Sequence, residues 1–309
     1  MYKLYFYGLL KTREEEAGSI ISKLLEYKYD VIWDGGSFRR TLYDKLNMMY
    51  GGLSEVGYID YTPYSRRILY EAIDDIYLMN NLIIDEADSL RRHARDIVIP
   101  VLGGYIFTST VLRSYYRSRW MDFIGVTTFE YINSFSEMFR KSLHILREAI
   151  SAAIEHDSLN ILLIDLIPGA RLSQHILLYK EYLNDYTDNI IFRFESLDLR
   201  RLYRYVYKLD LKRIAIPLSW FVNIEPRREG YIDELKLFKE LGDAEYIIEL
   251  LNQYYDPAEV DRLSESVKEV KSIFEGFKLG FSTSIFMNEI DLDDALKRLN
   301  LYSMLVRKT

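Results

Sequence analysis

Two aspartates, Asp34 and Asp165, have the placement that best suits catalysis. Each ends an apolar stretch typical of a buried strand, and each is followed within four residues by glycine, at Gly35-Gly36 and at Gly169. A rigid sheet holds carboxylates at strand ends in place, and adjacent glycines leave room for a phosphate. Because Mg²⁺ and Mn²⁺ prefer oxygen ligands, this pattern predicts a divalent metal site.

A third carboxylate would complete such a site, and the helix before the second strand offers one. Glu148 lies between the apolar residues Leu146 and Ala149, which favours an inward-pointing side chain. Two metal ions held by Asp34, Glu148 and Asp165 would flank a scissile phosphate, one activating water and one stabilising the leaving oxygen. Taken singly, the three residues also fit a turn, a surface position and a strand end.

A second acidic motif, Ile83-Ile84-Asp85-Glu86, matches the apolar-then-acidic pattern with which helicase-like ATPases hold Mg²⁺. That role needs an upstream phosphate-binding loop of the form Gly-x-x-x-x-Gly-Lys-Ser/Thr, and the sequence contains none. The stretch also continues a helical pattern without a turn signal. We therefore interpret Asp85 and Glu86 as helix residues, and an ATPase is the weaker alternative.

The elements that must position the candidate residues alternate between strands and helices through the middle of the chain. Strands are predicted at 29–33, 160–167, 190–194 and 213–216. After Gly230 the pattern becomes acidic and helical, with helices predicted at 231–241, 243–254 and 257–277. This order predicts an α/β fold with helices packed outside a sheet.

Composition limits the class of protein. The 309 residues include no cysteine, which excludes disulfides and thiolate metal ligands. The most apolar run, 161–167, is interrupted by Asp165, so we expect a cytoplasmic protein without a membrane or export segment. The abundance of tyrosine, with 27 residues, and the scarcity of glutamine are typical of a thermophile.

The net charge of −7 is unevenly distributed. Residues 229–309 hold 17 Asp and Glu against 10 Lys and Arg, so the preceding part is neutral. Arginine can contact phosphates and tyrosine can stack on bases, which makes one set of residues candidates for nucleic-acid binding. These are Arg39, Arg40, Arg113, Tyr116, Arg117 and Arg119. Solvated helix faces and ion pairs are the alternative explanation for the same clusters.

The order of these elements resembles the NurA nucleases, archaeal and bacterial enzymes that process DNA ends and have an RNase H-like core. The resemblance rests on Asp34-Gly35-Gly36-Ser37, a following strand region, a helix with Glu148, and Leu162-Leu163-Ile164-Asp165. It implies Mn²⁺- or Mg²⁺-dependent DNA cleavage with Asp34, Glu148 and Asp165 as metal ligands. It also implies a homodimer and a HerA-type hexameric translocase as partner.

The resemblance implies an RNase H-like mixed sheet flanked by helices in residues 1–230, with a helical insertion at about 64–130. Residues 231–309 would then form an acidic helical region that packs on this core. Three departures from the family favour an alternative. Leu166 replaces a glycine, a lysine after the later strand is missing, and no histidine follows His175. The alternative is a catalytically inactive adaptor in a nucleic-acid-processing or antiviral defence complex.

Overall fold

The computed structural model describes most of the chain. The described residues are 2–8, 10, 16–33, 42, 44–62, 65–118, 128–157, 159–167, 175–196, 198–219, 230–252, 255–284, 287 and 290–308. Within these ranges, strands and helices alternate along the chain as the hydrophobic pattern predicts.

Eight strands, all parallel to their neighbours, form one sheet. They are β1 (Lys3–Phe6), β2 (Val31–Ile32), β5 (Val98–Leu102), β6 (Asn160–Leu166), β7 (Ile190–Glu195), β8 (Arg213–Pro217), β9 (Glu245–Leu251) and β10 (Lys278–Thr283). Their spatial order follows the chain order, since β1 pairs with both β2 and β10. Ile32 bridges Ile97, just before β5, and thereby joins the two ends of the sheet. The sheet is a nearly closed (β/α)8, or TIM, barrel.

The strands consist mainly of aliphatic and aromatic residues because both of their faces are covered. In β6, the four residues from Ile161 to Ile164 are each at most 3% exposed. Such continuous apolar runs are typical of parallel sheets, whose outer face is covered by the helices that connect the strands.

Helices surround the barrel. They are α1 (Ala17–Glu26), α2 (Asp44–Met49), α3 (Leu82–Arg91), α4 (Gly104–Ser118), α5 (Thr128–His156), α6 (Leu177–Leu183), α7 (Leu199–Leu209), α8 (Tyr231–Lys236), α9 (Val260–Ile273) and α10 (Leu292–Lys308). Three short 3₁₀ helices span Asn184–Tyr186, Leu237–Leu241 and Pro257–Glu259. In α7, Leu202, Val206 and Leu209 form a buried stripe, and Asp198 caps the helix by accepting the N–H of Arg201.

A separate two-stranded antiparallel hairpin lies between α2 and α3. Its strands are β3 (Tyr50–Thr62) and β4 (Ser65–Leu78). The helical insertion predicted at about 64–130 is therefore wrong at its start, where β4 is a strand. The β-branched and aromatic residues of β4, among them Ile68, Tyr70 and Ile76, favour the extended conformation.

The junction between β2 and β5 closes the barrel by side-chain contacts as well as by backbone pairing. Because β2 has only two residues, it cannot pair along the whole of β5. Lys45, whose side chain is 2% exposed, donates its ammonium to the Pro100 carbonyl at 2.5 Å and to Glu86 at 2.7 Å. The same ammonium lies 5.2 Å from the centre of the Trp33 ring.

The predicted RNase H-like mixed sheet is wrong, because every pairing in the eight-stranded sheet is parallel. The predicted acidic helical region at the C-terminal end is also corrected. Residues 231–309 contribute β9 and β10 to the barrel itself, and the helix predicted at 243–254 is replaced by β9. The apolar sequence from Tyr246 to Leu251 fits a strand buried on both faces.

No helix in the described part of the chain is both long enough and apolar enough to cross a membrane.

Candidate active site at the mouth of the barrel

Two of the three predicted metal ligands are described, and they lie in different environments. Asp165 is fully buried near the end of β6, whereas the side chain of Glu148 on α5 is 55% exposed and lies 3.4 Å from His144. The structure therefore does not bring Glu148 and Asp165 together. Glu148 faces solvent because apolar neighbours on both sides do not fix the direction of a helix position, whose face is set by the 3.6-residue period.

Asp165 binds the first turn of α4. Its carboxylate accepts the backbone N–H groups of Tyr105 at 2.9 Å and Ile106 at 2.7 Å, together with the hydroxyl of Tyr179. A Cβ on residue 103 would come within 2.4 Å of this carboxylate, so Gly103 leaves the space that the carboxylate occupies. Burial raises the pKa of Asp165 to about 6, although these hydrogen bonds oppose the shift. Asp165 thus stabilises a helix N-terminus.

The other predicted site residues are not described in structural detail. Asp34, Arg39, Arg40 and Arg119 lie outside the described residues, and the side chains of Arg113, Tyr116 and Arg117 do as well. Among the residues that are described, no three His, Asp or Glu side chains meet in a way that could hold a metal ion. A role for Asp34 and binding of Mn²⁺ or Mg²⁺ remain predictions.

A buried charged cluster lies inside the barrel toward its C-terminal end, and we name it the upper layer. It consists of Tyr7, Arg193, Glu195 and Glu249. Arg193 on β7 donates from Nε and Nη2 to the two carboxylate oxygens of Glu249 on β9, at 2.5 and 2.8 Å. Tyr7, which follows β1, donates its hydroxyl to Glu249 at 2.7 Å. Because β7, β9 and β1 are not neighbours in the sheet, these side chains meet across the barrel interior.

Glu195 ends β7 and gives the upper layer its contact with solvent. Its carboxylate accepts a hydrogen bond from Nη1 of Arg193 at 2.5 Å, and its side chain is 24% exposed. Arg193 and Glu249, by contrast, are completely buried. The C-terminal end of the strands is the end at which barrel enzymes place their active sites.

Burial and charge act in opposite directions within the upper layer. Burial raises the pKa of Glu249, and the attraction of Arg193 only partly offsets that rise. Burial alone would lower the pKa of Arg193, but Glu195 and Glu249 raise it above its ordinary value. The pKa of Tyr7 is also raised, by burial and by the charge of Glu249. Arg193 is thus a permanent cation within the barrel.

A second cluster, the lower layer, lies nearer the N-terminal end of the barrel. It consists of Tyr5, Asn160, Arg213 and Glu245. Arg213 donates to Glu245 at 2.7 Å and to the side-chain oxygen of Asn160 at 2.6 Å, and Tyr5 donates to Glu245 at 2.5 Å. Gly280 leaves room for the Tyr5 ring, since a Cβ there would come within 2.7 Å of it.

The upper layer is not among the sites predicted from the sequence, although a signal for it exists. Arg193 interrupts the apolar sequence Ile190-Ile191-Phe192-Arg193-Phe194, and Glu249 follows Ile247-Ile248. A charge within a strand that is buried on both faces must be paired inside the protein. For Glu249 this signal was missed, because residues 243–254 were predicted to be a helix. On a helix a charged residue can face solvent while its apolar neighbours in the sequence are buried.

Solved structures with the same architecture include vitamin-B12-independent methionine synthases. One from Shewanella sp. W3-18-1, in complex with selenomethionine, aligns with a TM-score of 0.69 and 11% identity over 100% of this chain and 98% of its own. A protein from Listeria monocytogenes assigned to the same activity aligns with a TM-score of 0.58 and 13% identity over 95% and 86%. These similarities establish a shared barrel fold, and the resemblance to NurA nucleases is wrong. No family model and no curated protein matches the chain.

Proposed function

We propose that this protein is an enzyme that binds and transforms a small molecule at the C-terminal mouth of its barrel. The observation that carries this proposal is the upper layer, in which Arg193 is buried between Glu249 and the partly exposed Glu195. Its location coincides with the end of the fold where catalytic residues are found in barrel enzymes.

The energetics of the upper layer support a functional role. Removing two charges from water costs several kcal/mol per ion, and a well-packed apolar cluster in the same place is often equally or more stable. A contribution to stability alone therefore does not explain why a fully buried Arg–Glu pair is present. Local arrangements that are costly to stability are most common at functional sites.

An amino acid is the first substrate class to test. The Shewanella methionine synthase was solved with selenomethionine bound, and its chain aligns along the full length of this one. A barrel mouth accommodates a ligand of that size. At 11% identity the reaction itself does not transfer from that enzyme, so the choice of ligand rests on the shared architecture and on the charged mouth. DNA cleavage is not proposed, because the resemblance to NurA nucleases is wrong and because Glu148 and Asp165, two of the three predicted metal ligands, do not meet.

Calorimetric titration of the purified protein with methionine, selenomethionine and the other amino acids tests the proposal. We expect saturable binding of at least one of them, and we expect Arg193→Met to weaken it by at least roughly tenfold because the upper layer loses the cation that holds its side chains in place.

Arg213→Met is the matched control, because it removes the equivalent guanidinium from the lower layer. This variant should bind the ligand as the unmodified protein does. Equal weakening by both substitutions, or no binding of any amino acid, would contradict the proposal.

A further inference from the structure

We infer that Glu195 binds a primary ammonium group of the substrate. This inference rests on the proposed function and deepens it, since it names the chemical group that the mouth of the barrel recognises. It follows from which atoms of the upper layer are already occupied, which are exposed to solvent, and what charge is left over.

Two of the three charged side chains cannot meet a ligand. Arg193 is completely buried, and each of its three nitrogen atoms already donates to a carboxylate. Glu249 is completely buried as well, and its oxygens accept Arg193 twice and Tyr7 once. An anionic ligand therefore has no route to the guanidinium. Arg193 is a positioning residue for Glu195.

Glu195 is the charged group of the upper layer that a ligand can reach. Its side chain is 24% exposed, and Oε1 accepts a hydrogen bond from Nη1 of Arg193. One guanidinium between two carboxylates leaves a net charge of −1. Because Glu249 is enclosed by Arg193 and Tyr7, the excess negative charge faces the mouth through Glu195.

Among the described residues, the strand ends of β8, β9 and β10 supply no competing cation. The polar side chains that end or follow β8, β9 and β10 are neutral, and all are at most 1% exposed. They are Ser219, Asn252, Ser282, Thr283 and Ser284. A cationic group that enters the mouth from this side thus meets Glu195 without competition from a charged side chain of these three strand ends.

The occupancy of Glu195 selects the kind of cation. A guanidinium binds best to both oxygens of a carboxylate, and Arg193 already occupies one of them. A divalent metal ion needs several oxygen ligands, and the described residues form no cluster of three potential metal ligands. A compact primary ammonium is satisfied by one carboxylate oxygen together with neutral acceptors.

The test uses small probes that differ only in the charged group. Saturation-transfer NMR on the full chain would compare n-butylammonium, n-butylguanidinium, n-butanol and butyrate, each at the same concentration. We expect the strongest signal for n-butylammonium, and we expect Glu195→Gln to weaken its binding roughly 10- to 100-fold, as measured by titration.

The control is Glu240→Gln, which removes an exposed carboxylate in the 3₁₀ helix before β9, at the opposite end of the barrel. This variant should bind n-butylammonium as the unmodified protein does. Equal binding of n-butanol and n-butylammonium, or an unchanged affinity in Glu195→Gln, would overturn the inference.

The two proposals fail in different ways. If an amino acid binds in an Arg193-dependent manner but Glu195→Gln leaves its affinity unchanged, the proposed function stands and the ammonium site is refuted. If n-butylammonium binds through Glu195 while no amino acid binds, the ammonium site stands and the amino-acid substrate is wrong.

Discussion

The barrel contains two clusters that are built from the same types of side chain but differ in their exposure to water. Each layer joins a tyrosine of β1 or its extension, a glutamate of β9 and an arginine of β7 or β8. In the lower layer the side chains of Arg213 and Glu245 are 12% and 18% exposed. In the upper layer the corresponding Arg193 and Glu249 are not exposed at all.

This difference in exposure gives the pKa shifts of Glu245 and Glu249 opposite directions. In the lower layer burial works against ionisation, but Arg213 and the hydrogen bond from Tyr5 prevail and lower the pKa of Glu245. In the upper layer burial prevails over Arg193 and raises the pKa of Glu249. The lower ion pair therefore stabilises the fold, whereas the upper pair is a costly arrangement, which favours a role in function.

Replacing Arg193 or Arg213 should give the largest difference in stability between the two layers. Arg193→Met leaves Glu249 buried without its cation, and we expect the free energy of unfolding to fall by about 3–5 kcal/mol. Arg213→Met leaves Glu245 within reach of water, so a loss of about 2 kcal/mol is expected. Urea unfolding followed by circular dichroism measures both values. Equal losses would show that the two layers do not differ in solvation.

The pH dependence of stability should have opposite signs in the two layers. Glu249 has a raised pKa when folded, so its contribution is present below the unfolded value of about 4.3 and is lost as pH rises through the folded pKa. Glu245 has a lowered pKa, so its contribution is present above about 4.3 and is lost as pH falls through the folded pKa.

Unfolding measurements from pH 3 to 7 on two glutamine variants test these signs. Relative to the unmodified protein, Glu249→Gln should become more stable as pH rises above about 4.3, because it lacks the unfavourable ionisation. Glu245→Gln should become relatively less stable as pH rises toward about 4.3, because it lacks the favourable one. The same sign for both variants would refute the assignment.

The tyrosines should give the smallest difference. Tyr7→Phe removes a hydrogen bond to a carboxylate that water cannot reach, and we expect a loss of about 2 kcal/mol. Tyr5→Phe removes the corresponding bond to Glu245, which is partly exposed, and a loss of about 1 kcal/mol is expected. Thermal unfolding of both variants measures the difference, and a larger loss for Tyr5→Phe would contradict the proposed solvation.

The sequence predicts local structure well where apolar residues form continuous runs. The strand predicted at 160–167 is observed as β6, and those predicted at 190–194 and 213–216 are observed as β7 and β8. The pattern does not reveal how the sheet ends. A barrel and an open sheet use the same alternation of strands and helices, and closure depends on the pairing of β1 with β10, which are about 270 residues apart.

The site was less predictable than the fold for a physical reason. Asp165 has the sequence context of a catalytic aspartate, but the same context suits a carboxylate that accepts backbone N–H groups of α4. Arg193 and Glu195 were not identified because a charge within an apolar strand indicates that it is paired inside the protein but does not indicate its partner. Their meaning depends on Glu249, which is 56 residues from Arg193 and reaches it across the barrel interior.

The junction between β2 and β5, which Lys45 bridges, affects how the barrel fluctuates. Seven of its eight junctions are backbone ladders of two or more residue pairs. Among the described residues, the junction of β2 with β5 has one bridge, between Ile32 and Ile97, and the side-chain contacts of Lys45. Local opening begins where backbone pairing is shortest, so transient opening of the barrel should begin at the junction of β2 with β5. Such a breathing motion would leave the other ladders intact and would change the width of the mouth from one side only.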